Sequence, residues 1–204
     1  MATSTIYWKL TKLHQALQSD DAVAVGAGAG LSTAAGFTYS GEPFQKHIAD
    51  FIGKYGFTDM YTAGFYNFPT EEEHRSYWSR HIYHNRYVPA LKPVYENLLN
   101  LRFNETFVED EGWHAASQRY TDFLTRHKNG RVLFLDLGSG GNTPIIFKIP
   151  FIKMTMQNPR ATYATVNLGE AFTVEQIADR SIVIDADIGE VVEKLRMMNR
   201  WVLM

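Results

Sequence analysis

The stretch AVAVGAGAGLSTAAGFTYSG, residues 22–41, holds five glycines and no charged side chain. Its first half alternates alanine and valine, which reads as a short buried strand. Gly26, Gly28 and Gly30 fall where the chain has to leave that strand. Positions without a Cβ permit a tight bend and a close approach of backbone. A helix is expected to start near Leu31 and Ser32, so the glycines occupy a strand-to-helix turn. In a doubly wound sheet such a turn borders the ligand crevice. The free amides and dipole at the start of a helix suit an anion such as a pyrophosphate. The spacing of Gly28, Gly30 and Gly36 is not the ordinary G-x-G-x-x-G. Alone, the stretch fits a nucleotide-binding turn and a tight turn with close helix–sheet packing about equally.

Further along, RVLFLDLGSGG, ATYATVNLG and SIVIDADIG are three more β-rich runs, each ending in glycine. Between them lie NTPIIFKIPFIKMTMQNPR and EAFTVEQIADR, read as helices. Strands alternating with helices predict an α/β fold, a Rossmann-like parallel sheet with helices on both faces. The glycine-bearing loops after the strands would line one crevice, as an extended dinucleotide requires. Before the second strand, Leu10, Leu13 and Leu17 recur at helical spacing, and EPFQKHIADFIGKYG reads as one helix ended by Gly56. FTDMYTAGFYNFPT is read as an aromatic loop or lid. Thr70 is expected to cap a helix over EEEHRSYWSRHIYHNRY, with Glu73 closing a capping box. LKPVYENLLNL is again helical. Residues 1–204 are expected to form a single Rossmann-type domain, with residues 37–90 as a helical annex or lid within it.

Composition narrows the function classes. The formal net charge of −2 gives no footprint for nucleic acid or a membrane surface. No apolar run reaches the length of a membrane span; the greasiest, IIFKIPFIKM, is interrupted by Lys148, Pro150 and Lys153. The N-terminal residues are too polar for a signal peptide. Cysteine is absent, which excludes disulfides and thiolate metal sites and fits a reducing, cytoplasmic location. His81 and His84 lie three apart with Arg80 and Arg86 beside them, so a solvated helix face is favoured over a metal site, which needs more ligands. His114 beside Trp113 reads as helix-start packing rather than a base. Ser32 lacks the G-x-S-x-G surroundings of a nucleophile.

GAGLSTAAGF resembles the G-A-G-x-S-x-x-x-G signature of the sirtuins, which consume NAD. TYSG stands where most sirtuins carry a P-D-F-R element. That departure is similar to the class M, macrodomain-linked branch, as are GFTDMYTAGFYNFPTEEEHRSYWSR, TFVEDEGWH, LGSGGNTP and IDADIGEVVEKL. The likeness runs from about residue 7 to 196. It implies an NAD-dependent protein ADP-ribosyltransferase that releases nicotinamide and passes ADP-ribose to a protein acceptor. The implied partners are a lipoyl-carrier-like acceptor and a macrodomain protein. By the same resemblance Gly28, Ala29, Gly30, Ser32 and Gly36 would hold the pyrophosphate. Phe37 and Tyr39 would stand near the nicotinamide ribose. Gly138, Ser139, Asn142 and Thr143 would lie on the adenosine side, Asn167 on the adenosine ribose, and Asp187 with Ile188 at the adenine edge. Glu109, Asp110, Glu111 and Trp113 resemble the substrate-side stretch.

The resemblance also exposes a gap. Sirtuins carry an N-x-D strand, a His (Gln in class M) that acts on the ribose, and a four-cysteine zinc module. Here LKPVYENLLNL runs directly into RFNETFVEDEGW. By resemblance a contiguous block has gone, so no catalytic residue is assigned and no zinc is expected. A catalytically inactive binder of NAD or ADP-ribose is the alternative reading. The lost strand would have been central, so its neighbours are expected to re-pair or to leave an exposed edge.

Overall fold

A computed structural model describes residues 2–101, 113–141 and 144–202, with 2–4, 113–115 and 199–202 described as backbone only. In chain order the elements are α1 (Ala2–Ser19), β1 (Ala22–Ala27), α2 (Ala29–Ala34), α3 (Glu42–His47), α4 (Ala49–Tyr55), α5 (Met60–Ala63) and α6 (Glu71–Ile82). A π-helical turn (Tyr83–Tyr87) follows, then α7 (Val94–Leu99), α8 (Trp113–His127), β2 (Val132–Leu137), α9 (Lys148–Gln157) and β3 (Thr162–Val166). A 3-10 turn (Glu175–Arg180), β4 (Ser181–Ile184) and α10 (Ile188–Val202) complete the chain. The contacts divide it into two compact units, Met1–Leu31 with Pro93–Met204, and Ser32–Lys92.

Among the described residues the first unit is built on a four-stranded, all-parallel sheet in the order β1-β2-β3-β4. The fold is thus α/β and Rossmann-like, as the alternation of glycine-ended β runs and helical segments predicts. The register places Ala27 beside Leu137, Leu137 beside Val166, and Val166 beside Ile184. All four strands therefore end level, and their following loops leave from one edge of the sheet. β2 is buried at all six positions, as expected for a strand covered on both faces. One face joins Ala22, Ala24, Val132, Phe134 and Tyr163 to Phe151 and Ile152 of α9. Strand alternation sends Leu133, Leu135, Ala164 and Val166 to the other face, and all are buried. Helix α1, with Leu10, Leu13 and Leu17 buried, packs on β4 and α10.

The strand order contains no reversal. A doubly wound sheet binds its ligand where the order reverses. Among the described residues such a point would need a strand on the outer side of β1.

The second unit has its own core, formed by Phe44, Ile48, Phe51, Met60, Ala63 and Tyr77 with flanking aromatics Tyr55, Phe57, Phe68 and Trp78. The single helix expected over residues 42–56 is broken at Ile48, whose φ of −118° and ψ of 15° separate α3 from α4. Phe44, Ile48 and Phe51 all enter one core, and the bend lets them converge. Part of the expected lid is the short helix α5, capped by the Asp59 carboxylate accepting from the Thr62 amide at 2.8 Å. The Thr70 hydroxyl caps α6 by accepting from the Glu73 amide at 3.2 Å. The Glu73 carboxylate does not need to complete the box: Tyr55 Oη donates to it at 2.6 Å and Lys54 pairs with it. In EAFTVEQIADR the expected α-helix is a 3-10 turn. No helix among the described residues is long and apolar enough to cross a membrane.

Candidate functional site

The turn after β1 and the turn after β2 meet glycine to glycine. A Cβ on Gly28 would stand 2.4 Å from the Gly138 carbonyl oxygen, and one on Gly30 would stand 2.7 Å from Gly138 Cα. Gly138 itself has φ +74°, and a Cβ there would lie 2.6 Å from Gly30 Cα and 2.8 Å from Ile188 Cδ1. The Gly28 amide donates to the Leu137 carbonyl at 2.9 Å and the Gly30 amide to the Gly138 carbonyl at 3.2 Å. Glycine is required here so that two loops can touch, and two of the amides expected to face a pyrophosphate serve that contact. The helix also begins earlier than expected, at Ala29, and α2 runs for only six residues. At these three positions the two loops approach too closely for any side chain to stand between them.

Ser139 is the centre of the next layer. Its amide donates to Asp136 Oδ1 at 3.1 Å, and its carbonyl accepts from Asn167 Nδ2 at 3.2 Å. Its hydroxyl is buried without a hydrogen-bond partner, an uncommon and costly state for a buried polar atom. Asn167 is fixed by its own amide, which donates to the Ile184 carbonyl at 3.2 Å. Ile188 is buried against Gly138. Asp187 caps α10, accepting from the Glu190 amide at 3.0 Å. Gly28, Gly30, Gly138, Ser139, Asn167 and Ile188 are therefore brought together at the carboxyl ends of β1, β2 and β3, with Ala29 and Asp187 next to them in the chain.

Two neighbouring carboxylates shape the charge of this edge. Glu170 Oε2 accepts from the Gly141 amide at 3.1 Å, and Asp185 Oδ1 accepts from the Gly169 amide at 2.6 Å. Each occupies an amide that could otherwise face an anion.

A buried ion pair supports the site from below, and sequence reading missed it. Asp136 and Lys148 are 0% and 1% exposed in their side chains, with Lys148 Nζ 3.7 Å from Asp136 Oδ2. Asp136 also accepts from Tyr163 Oη at 3.0 Å and Thr165 Oγ1 at 3.4 Å. Burial pushes the Asp136 carboxyl above its ordinary value, against the opposing pull of Lys148 and these donors. Burial and the adjacent carboxylate push the Tyr163 hydroxyl up as well. Lys148 further donates to the Glu170 carbonyl at 3.5 Å and lies 4.5 Å from the Phe172 ring centroid. One lysine thus ties the end of β2 to the loop after β3. The only signals in the sequence were a lone Asp in VLFLDL and a lone Lys in IIFKIPF.

Gly36, Phe37 and Tyr39 belong to the second unit. Gly36 has φ +104°, and Leu91 closes over it. Phe37 donates its amide to the Ser32 carbonyl at 2.9 Å. Tyr39 stacks on His81 with ring centroids 5.8 Å apart. Within this unit a cavity of about 270 Å³ is lined by Gly36, Phe37, Met60, His47, His84 and Leu91, among others. His84 stacks on His47 at 3.6 Å, and burial with the neighbouring His47 and Arg80 lowers its pKa. His81 is half-buried against Tyr39 and Trp78, so the expected solvated histidine face is instead an aromatic contact surface. Among the described residues no group of three or more His, Cys, Asp or Glu could hold a metal ion. Asn142, Thr143, Glu109, Asp110 and Glu111 lie outside the described residues, and Trp113 and His114 are described only as backbone.

No family model matches the chain. It is similar to a protein of Staphylococcus aureus (strain Mu50 / ATCC 700699) named "Protein ADP-ribosyltransferase", 26% identical over 266 aligned positions covering 88% of this chain and 84% of the relative. The chain is thus a distant relative of a protein ADP-ribosyltransferase. Because 266 aligned positions exceed the chain's 204 residues, at least 62 positions of the relative face a gap here.

Proposed function

We propose that this chain is a protein ADP-ribosyltransferase of the sirtuin type, with NAD as its substrate. The nicotinamide–ribose bond would break, nicotinamide would leave, and the ribose carbon would bond to a nucleophile on a protein acceptor. The observation that carries the reading is the buried, unpartnered Ser139 hydroxyl at the level carboxyl edge of the sheet. A ribose hydroxyl or phosphate oxygen is the kind of group that would complete it. Gly28, Ala29, Gly30, Ser32 and Gly36 are assigned to the pyrophosphate, and Phe37 and Tyr39 to the nicotinamide ribose. Gly138, Ser139, Asn142, Thr143, Asn167, Asp187 and Ile188 are assigned to the adenosine half. A lipoyl-carrier-like protein is the proposed acceptor, a macrodomain protein a proposed partner, and the cytoplasm the proposed location.

A second reading, a binder of NAD or ADP-ribose without turnover, is favoured by the gap of at least 62 positions against the relative. Positioning residues and acid–base groups lost with such a block are worth about 10²–10⁴-fold for the proton transfers alone. The two readings separate on one purified sample. Nicotinamide release from NAD is expected from a transferase and absent from a binder, while both are expected to bind ADP-ribose by calorimetry. Ser139→Ala is expected to weaken ADP-ribose binding by about five- to tenfold, the worth of roughly one hydrogen bond. A protein that neither releases nicotinamide nor binds ADP-ribose ends both readings.

Glu170 gives an independent check. Its carboxylate sits on the Gly141 amide, where it would repel a diphosphate. Glu170→Gln is expected to tighten ADP-ribose binding by about two- to fivefold at low salt, with the gain fading as salt screens the charge. Unchanged affinity would place the diphosphate away from this loop.

A further inference from the structure

Asp136 is the one charged residue in the apolar run VLFLDL, two positions before the glycine turn that follows β2. Strand pairing sets it between Gly26 of β1 and Thr165 of β3. The ring of Phe147 covers Gly26, where a Cβ would stand 2.3 Å from Phe147 Cδ2. Tyr163, on the same face of β3 as Thr165, is fully buried. The carboxylate is closed off from water, and a buried charge is kept only where its neighbours compensate it.

Its two oxygens serve different partners. Oδ2 is held from behind: Tyr163 Oη donates at 3.0 Å, Thr165 Oγ1 donates at 3.4 Å, and Lys148 Nζ lies 3.7 Å away. Oδ1 is left for the Ser139 amide, which donates to it at 3.1 Å. That bond closes the turn over Gly138, whose backbone has φ +74°. The Ser139 carbonyl accepts from Asn167 Nδ2 at 3.2 Å. Both backbone groups of Ser139 are thus committed. Only its hydroxyl remains, buried and without a hydrogen-bond partner among the described residues.

Stability alone is a weak reason for such a pair. Removing one partner is costly, but replacing both with apolar residues of similar volume is often neutral or stabilising. Lys148 also opens α9, where the helix dipole disfavours a cation. A lysine there does nothing for the helix; it balances Asp136.

We propose that Asp136 is a positioning residue of the nucleotide site. Anchored from behind by β3 and Lys148, its carboxylate fixes the Ser139 turn and so aims the Ser139 hydroxyl at the ligand. Asp136 acts through Ser139 and does not itself touch that ligand. The proposal rests on the reading of this edge as the site of an ADP-ribosyl group.

ADP-ribose binding to the full chain, measured by calorimetry below the melting temperature of every variant, tests it through a set of double-variant cycles. In the parent, Ser139→Ala is expected to weaken binding by about five- to tenfold. In Asp136→Asn with Lys148→Met, the amide oxygen still accepts from Ser139. Affinity there is expected within about threefold of the parent, with the full effect of Ser139→Ala retained. In Asp136→Leu with Lys148→Met, nothing accepts from the Ser139 amide. Affinity is expected to fall about tenfold or more, and Ser139→Ala then to change it by less than about twofold, because the hydroxyl has already lost its aim. A folded variant that had lost only stability would keep the full effect of Ser139→Ala. Tyr163→Phe takes one hydroxyl from behind Oδ2 and leaves both charges in place. It is expected to weaken binding by about two- to fivefold, and it carries the test if the leucine variant does not fold. A full Ser139→Ala effect in the leucine background overturns the proposal, as does parental affinity in Tyr163→Phe. Both of those results leave the reading of the site standing, whereas a parent that does not bind ADP-ribose ends the two together.

Discussion

Lys148→Met is expected to destabilise the protein by about 3–5 kcal/mol, the cost of leaving one member of a buried ion pair without its partner. Both side chains are essentially inaccessible, at 1% and 0%, so water cannot solvate the orphaned Asp136 carboxylate. Methionine has nearly the length of lysine, so lost volume contributes little. The double variant Lys148→Met with Asp136→Asn is expected to regain most of the loss. A neutral amide still accepts from the Ser139 amide through its one oxygen, and its NH2 group can donate to the Tyr163 or Thr165 hydroxyl, which can rotate to accept, while no charge is left to bury. The deficit of the single variant depends on pH in a definite direction. Asp136 already titrates above its ordinary value of 3.8, and removal of the lysine raises it further. A carboxyl whose folded pKa is raised is penalised only when ionised, so the deficit shrinks as pH falls through that raised value and grows as pH rises. Urea denaturation at two pH values measures all three quantities. A single variant within about 1 kcal/mol of the parent, or a double variant no better than the single, would remove the pair from any structural role.

Gly138→Ala is expected to cost about 2–5 kcal/mol and to abolish binding of ADP-ribose together with stability. Two terms add. The backbone at φ +74° disfavours any residue with a Cβ by roughly 1–2 kcal/mol. The new methyl would also stand 2.6 Å from Gly30 Cα and 2.8 Å from Ile188 Cδ1. That overlap pushes the β1 and β2 turns apart, at about 1–3 kcal/mol for overpacking. Gly141 is the control: nothing lies within 4 Å of its Cβ position and its φ is not positive, so Gly141→Ala is expected to be near neutral. Thermal melts of the two variants decide the matter. Equal melting temperatures would mean that the turns can separate freely, and the loop-on-loop contact would then position nothing.

The strands, their parallel arrangement and most of the helices were legible because each depends on neighbours in the chain. Leu10, Leu13 and Leu17 repeat at a helical interval and are all buried. The runs VLFLDL and TYATV are apolar enough to be covered on both faces and end in glycine. Thr70 announces a helix start by its own chemistry. The break at Ile48 was not legible, because it is imposed by a core that Phe44, Ile48 and Phe51 enter together. The gathering of Gly28, Gly138, Asn167 and Ile188 at one edge was expected from glycine-bearing loops after parallel strands, but the strand order that sets which loops are neighbours came only with the tertiary structure.

The amino-acid sequence by itself determined that this chain builds a covered parallel sheet with glycine turns at the carboxyl ends of its strands. Alternation, apolar runs and glycine are local properties that act within a few residues. Tertiary structure alone decided what the glycines do, since Gly28 and Gly30 meet Gly138 more than a hundred positions away. It alone joined Asp136 to Lys148 beneath Ser139. It alone left the outer side of β1 without a strand among the described residues. Each of these depends on which distant segments come to lie side by side, and that is set by packing the whole sheet rather than by any stretch within it.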